Sequence, residues 1–566
     1  MTTPPPPGGP GGFDVRPPHV YHASGLVKEA QFAHAERAFV LVDVLNKYNQ
    51  SAGTGHGADA FADAYMKVTE KFLEAWGRSV VSVGGAAVGL TLTANHYVMA
   101  DWEAGGRKGS QPASEPEPVV INKPPRYGPV NTVKWSGTGE DVDSWWISGA
   151  IGEVPDFLAD AIRPGIEHGL RLGKVHEITP GLREDEVRDM ATAWRNLAGD
   201  VTKAGDELTA AISSITDPKG NGEWQGAMKA FCQSIWGTTE WGRPLGEDGK
   251  RNPAGRSWRT DRNQNGPKRP ILDVLKKTAD AMPGILEHLA DVGDRTTETT
   301  SRLGAEAAKA MVKELTLDID FGKLTRLAVG GIVAQVVLSF RSHMDKAGMD
   351  AAVENYHREF HAAAVTLNNL LPELEEAILS APTYQAETAR AQGFGARALN
   401  EFKREHKWQR AGESPSLYMY SFDLAMNEEL SGGHTLDKHV GKTDEQLLQR
   451  HRDEAKGSGK LQLLATSSFT DIDSAQKYTQ YCIRQNTAEI QDWLKNPPPQ
   501  PASKSFQVDS VPVEGPLTGN AVTGRTSQRL DDHTPAPVKN AYGVSTRLKY
   551  DPNLDPPFVV LTSAPE

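Results

Sequence analysis

His434 and His439 lie five residues apart in the run Ser431-Gly-Gly-His-Thr-Leu-Asp-Lys-His-Val-Gly-Lys-Thr443, with Lys438 beside the second and Arg450 on the segment that follows. An imidazole takes and returns a proton near neutral pH. A guanidinium held nearby stabilises charge that develops on a phosphate. Together these groups suit phosphodiester cleavage. Five residues is not the i,i+4 spacing of a helical zinc pair, and no Glu lies between the histidines, so neither a metal nor a cofactor is expected. The pair Gly330-Gly331 falls inside an apolar stretch and makes no phosphate-binding loop. Residue types alone leave a second interpretation open. His434 beside Gly432-Gly433 could organise a turn, His439 could be a hydrogen-bonded, half-buried ring, and Arg450 could pair with Asp453 or Glu454 on a helix surface.

The elements that would position these side chains are partly legible. Thr443-Asp-Glu-Gln446 is a capping-box pattern that predicts a helix through Asp453. A longer helix is expected from about Asp471 to Leu494, its stripe of Ala475, Tyr478, Cys482, Ile483, Ile490 and Trp493 buried, with Pro497-Pro-Pro499 ending it. From Phe506 the pattern alternates, giving candidate strands at 506–513, 521–525, 542–550 and 558–561, the last two forming a hairpin. Helices followed by antiparallel strands make an α+β layout. By default His451, His533, Arg525 and Lys549 are surface residues.

The blocks Gly433-His434-Thr435, Lys438-His439-Val440-Gly441-Lys442-Thr443, Leu447-Leu448-Gln449-Arg450, Ser467-Ser468-Phe469-Thr470-Asp471, Gly524-Arg525 and Val560-Leu561-Thr562-x-x-Pro565 follow in order. This stretch, about 430–566, resembles the bacterial CdiA C-terminal ribonuclease A-like toxin domain. The resemblance implies a metal-independent ribonuclease in which a base removes the 2′-hydroxyl proton and a 2′,3′-cyclic phosphate forms, a route closed to DNA. It places His439 as the general base or acid, Arg450 as the phosphate clamp and Thr562 as a hydrogen-bond donor to a phosphate oxygen. The tyrosine usual two residues after that threonine is Ala564 here. His434, Lys438 and Tyr550 are the candidate substitutes, and Arg525 a candidate RNA contact.

The remaining chain is long and different in character. A length of 566 residues implies three or four domains. A net charge of −12 argues against a basic nucleic-acid-coating surface. From Ser431 onward there are 15 Lys and Arg against 16 Asp and Glu, so RNA would have to meet a local basic cleft. The two cysteines, Cys232 and Cys482, fall in separate apolar helical patterns and are read as buried thiols.

Residues 1–18 are a Pro/Gly-rich, disordered N-terminus without the features of a secretory signal peptide. Residues 19–103 read as a helical hairpin, with His34 as a half-buried packing residue on the first apolar stripe, and 104–182 as a linker and connecting element. Residues 183–341 make a second helical unit, 342–429 a helical stalk or spacer, and 430–566 the terminal module. The apolar run 327–340 is short for a membrane span, so no stable membrane anchor is expected.

The first hairpin is followed by Tyr97-Val-Met-Ala-Asp101, which puts Tyr97 and Asp101 on one helix face for a partner to read. The second unit carries Trp224-Gln225-Gly226 after its first helix. Both features resemble the WXG/ESX-type substrates of type VII secretion. The combined expectation is a non-classically secreted antibacterial toxin that acts in the cytoplasm of a target cell, with the type VII machinery, RNA and a cognate immunity protein as partners. The alternative is a secreted, non-enzymatic interaction protein whose ribonuclease-like domain has lost activity, as Ala564 allows. A toxin of other chemistry, such as an ADP-ribosyltransferase, is a third option.

Overall fold

A computed structural model describes residues 15–48, 50–104, 109–134, 163–166, 182–216, a few positions between 228 and 236, 271–318, 329–397, 424–428 and, with short breaks, 432–566. The first hairpin forms as α1 (Pro17–Leu45) and α2 (His56–Ala104). Ser24 donates to the Ala87 carbonyl and Gln31 to the Val80 carbonyl, each at 2.7–2.8 Å across the pair. His34 is fully buried between α1 and α2 rather than half-buried, stacked on Trp76 at 4.4 Å.

Two long helices lie alongside, α3 (Glu184–Thr216) and α4 (Ile271–Asp318). Their apolar stripe, including Met190, Trp194, Leu197 and Leu286, joins the core of the hairpin. Trp194 donates to the Tyr65 hydroxyl at 2.9 Å, which satisfies both buried polar groups. Trp224 and Gly226 lie outside the described residues. The run around residue 330 forms α5 (Val329–His343), and no helix among the described residues is long and apolar enough to cross a membrane.

The stretch expected as a stalk folds back on the bundle. It forms α6 (Lys346–Asn368), α7 (Leu371–Ser380) and α8 (Tyr384–Arg397). The stripe Val353, Tyr356, Phe360 and Leu367 is buried, with Phe360 edge-on to Phe61 of α2 at 5.8 Å, so an extended spacer would expose a large apolar face. α8 lies against α2 at very close range. A Cβ at Gly89 would collide with Ala391 and the Thr388 carbonyl, so glycine is what permits the approach. Tyr97 is buried here, its hydroxyl donating to the Gly395 carbonyl at 2.5 Å, while Asp101 is exposed. The outward face expected of Tyr97 is therefore covered by α8.

The C-terminal unit is α+β. It comprises α9 (Leu424–Asn427), α10 (Thr435–His439), α11 (Asp444–Asp453), β1 (Ala465–Ser468), α12 (Ile472–Gln485), α13 (Thr487–Lys495), β2 (Ser503–Val508), β3 (Gly524–Gln528), β4 (Lys539–Ala541), β5 (Val544–Tyr550) and β6 (Phe558–Pro565). The strands form two antiparallel three-stranded sheets, β1-β3-β4 and β2-β5-β6. The Thr443–Gln446 capping box is present at the start of α11. The single long helix expected over 471–494 is broken at Asn486, whose side chain bonds the Cys482 carbonyl at 2.8 Å. The core packs Leu436, Val440, Phe469, Ile483, Phe506, Leu548 and Val560 together with Ala389 of α8 and Leu424 and Ala425 of α9.

Candidate active site

The segment 434–442 bridges the two sheets. Its start is pinned to β6: the His434 N–H donates to the Leu561 carbonyl at 3.1 Å, and the Ser563 N–H donates to the Thr435 hydroxyl at 2.9 Å. Its end is pinned beside β1, where the Phe469 N–H donates to the His439 carbonyl at 2.8 Å and the Gly441 N–H to the Phe469 carbonyl at 2.9 Å. A one-turn helix has little stability of its own, so these flanking bonds set where its side chains sit.

His439 is half-buried, and its Nδ1 lies 2.9 Å from the Ser467 carbonyl oxygen. A carbonyl only accepts, so Nδ1 carries the proton and Nε2 keeps its lone pair. Burial holds the ring's pKa well below the usual imidazole value, and the charge of Arg450 and a weaker contribution from His434 push it the same way. The ring is thus held neutral, in the tautomer a general base needs.

Arg450 lies on α11, 6% exposed, and donates from Nη1 to the Lys438 carbonyl at 3.2 Å, with Nε 3.5 Å from Glu454 Oε1. The backbone bond ties the guanidinium to the helical turn that ends in His439. His434 occupies the N-cap of α10, with Nδ1 2.9 Å from the Gly432 carbonyl. Lys438 is 5% exposed and its charge is also felt by His439.

Thr562 lies on β6 between the two residues that anchor α10. A register shift leaves Leu561 without a partner on β5, because Arg547 faces Thr562 and Leu548 faces Val560. Such bulges re-aim side chains at strand ends. The Thr562 hydroxyl is buried and meets no hydrogen-bond partner among the described residues. A buried polar atom left in this state is costly unless a ligand satisfies it.

The sequence-derived candidates divide. His439, Arg450, His434 and Lys438 come together around α10, and β6 brings Thr562 alongside its first turn. Tyr550 does not join them: it shares a sheet face with Leu548, whereas Thr562 pairs with Arg547 on the opposite face, and its ring packs against Trp493 at 6.4 Å. Arg525 is engaged by Asp444 through two bonds of 3.0 and 2.5 Å and by Asn540. His451, expected at the surface, is fully buried with Nε2 3.0 Å from the Ser527 carbonyl, because α11 turns that side onto β3. Arg547, exposed and cross-strand from Thr562, is a cation sequence reading passed over. Only the bulged register reveals it. Among the described residues, no group of three or more His, Cys, Asp or Glu side chains is arranged to hold a metal ion.

No curated protein matches the chain. Among solved structures, the crystal structure of a CdiA-CT/CdiI complex from Y. kristensenii 33638 is 25% identical over 24% of this chain and 99% of that chain, with a TM-score of 0.18. Residues 433–565 match the family model described as the bacterial CdiA-CT RNAse A domain, a match that suggests ribonuclease activity and spans His434, His439, Arg450 and Thr562.

Proposed function

We propose that the C-terminal unit is a metal-independent endoribonuclease and the effector end of a secreted antibacterial toxin. The observation that carries this reading is the state of His439: a neutral imidazole with its Nδ1 proton committed to Ser467 and an arginine beside it, in a stretch that matches a ribonuclease family. Nε2 removes the proton from an RNA 2′-hydroxyl, and the resulting oxygen attacks the adjacent phosphorus. The P–O5′ bond breaks, leaving a 2′,3′-cyclic phosphate, and the departing 5′-oxygen takes up a proton. His434 is the second imidazole available to supply it. Arg450 offsets the charge that builds on the phosphoryl oxygens, and the Thr562 hydroxyl finds in one of them an acceptor that the described residues do not supply.

The experiment is RNA digestion by the purified full-length protein in EDTA. Cleavage with 2′,3′-cyclic phosphate ends, no action on DNA and loss of activity in His439→Ala are the expected results. A folded, full-length protein that leaves RNA intact would instead support a ribonuclease-like domain that only binds.

For delivery, the reading is export by a type VII route, supported by the α1–α2 hairpin with Tyr97 and Asp101 in the last turns of α2. Tyr97 is then read only after it leaves Gly395. Deleting the export machinery of a producing strain should abolish release of the chain into the medium. A producing cell also needs a protein that blocks the His439 cleft, and expression of the active chain without one should be toxic.

A further inference from the structure

The residues that hold the site do not all lie within the family match. We propose that residues 379–393, the end of α7 and the first turns of α8, are a positioning element for the His439–Arg450 pair. The inference rests on the reading of His439 as the catalytic base.

Three contacts converge on the short segment between the two catalytic side chains. Gln446, in the first turn of the helix bearing Arg450, donates from Nε2 to the carbonyls of Leu379 and Ala381 at 2.9 and 3.0 Å. Thr383 donates to the Gly441 carbonyl at 2.6 Å and accepts from the Ala386 N–H at 3.1 Å. Gly441 has φ +66° and sits so close to α8 that a Cβ would lie 2.5 Å from the Ala386 nitrogen. Backbone meets backbone here, and a side chain could not enter.

A buried charge cluster completes the junction. Arg390 and Glu387 of α8 are both fully buried and pair at 2.7 Å, and Arg390 Nε lies 3.4 Å from Asp437 of α10. Lys442 is 8% exposed, and its charge is felt by Glu387. Ordinary contacts between domains of one chain are polar and solvated. Charges this deeply buried persist only with fixed partners, so the cluster specifies one arrangement of α8 against α10. The other side of α8 is fixed too, through Thr93, which donates to the Ala391 carbonyl at 3.3 Å, and Tyr97, which donates to the Gly395 carbonyl. Because a misplacement of about 1 Å at a reacting group can cost about a hundredfold in rate, an element that fixes both α10 and the start of α11 bears directly on turnover.

The test uses the full-length protein with Thr383→Val, which removes the donor to Gly441 and keeps the shape, and Thr383→Ser as the rescue. Two readouts are taken on each folded variant: kcat and KM on RNA, and the titration of the His439 ring followed by NMR on histidine-labelled chain. The expected result is a fall of about tenfold in kcat with KM unchanged, a His439 titration that moves up toward the ordinary imidazole range, and recovery of both in Thr383→Ser. A folded Thr383→Val with wild-type kcat and an unchanged titration would overturn the proposal. Should Thr383→Val fail to fold, Gln446→Ala, which retains the Thr443 hydroxyl cap, carries the same expectations and the same refutation. If the wild-type chain does not cut RNA, the ribonuclease reading fails, and the His439 titration alone decides this one.

Discussion

Two imidazoles, one in each half of the molecule, make an instructive pair. His34 in the helical bundle has Nε2 2.8 Å from Ser79 Oγ, which itself donates to the Trp76 carbonyl, so Nε2 carries the proton and the bare Nδ1 is sealed in the core. His439 is also locked in one tautomer, yet it is half-buried and sits among Arg450, His434 and Lys438. Burial lowers both pKa values, His34 down to about 3. A depressed pKa therefore does not by itself separate a ring proposed to be catalytic from a packed one. Access to the lone pair and the charges around it do.

The sharpest way to break the comparison is to delete each ring. His439→Ala is expected to lower kcat on RNA by at least about a thousandfold with little change in melting temperature. His34→Ala should leave kcat unchanged while destabilising the bundle by about 1–3 kcal/mol, read from denaturant unfolding. Equal effects on activity would erase the distinction. Next, Arg450→Ala should reduce kcat by about a hundredfold, since it removes the charge proposed to offset the developing phosphorane while leaving Nδ1 of His439 on Ser467. Thr562→Val is expected to cost about tenfold in kcat and nothing in stability, because its hydroxyl has no partner among the described residues to lose; a clear loss of stability would show that the oxygen is satisfied within the fold.

The last contrast is in pH dependence. His439's pKa lies below its unfolded value, so the ring remains a competent base as pH falls through the ordinary imidazole range, and the acid limb of kcat/KM should lie below pH 6.5. His34 acts on stability with the same sign. Between its unfolded value of 6.5 and its folded value of about 3 the unfolded chain binds the extra proton, so stability is full above pH 6.5 and declines as pH drops through that window. The decline is at most about 1.4 kcal/mol per pH unit, and His34→Gln should flatten it.

What could be anticipated from sequence was mostly local. The Thr443 capping box, the hairpin expected from 542–550 and 558–561 and the first helical hairpin rest on patterns within a few turns of chain and form, whereas the helix expected over 471–494 breaks at Asn486. The weakest signals were the short strands: β1 reads Ala-Thr-Ser-Ser and β4 only Lys-Asn-Ala, compositions without alternation to detect. Glu387 and Arg390 are spaced i,i+3, a pattern that by itself says nothing of burial, yet both are fully buried because Asp437 and Lys442 arrive from far along the chain. Arg525, read as a surface residue and candidate RNA contact, stays partly exposed but is engaged by Asp444, a partner visible only once β3 lies against α11. The clustering of His434, His439, Arg450 and Thr562 was suggested by resemblance rather than by spacing, since nothing local in the sequence announces that β6 receives α10.

The close seat of Gly441 on Ala386 has a consequence for how the chain tolerates being cut. A backbone cut placed between residues 398 and 423 would break the covalent link from the bundle to the C-terminal unit, yet the buried quartet and the Gln446 and Thr383 bonds would remain as a seam. The two pieces should then co-migrate on a sizing column as one nicked particle, and only dilution in strong denaturant should part them.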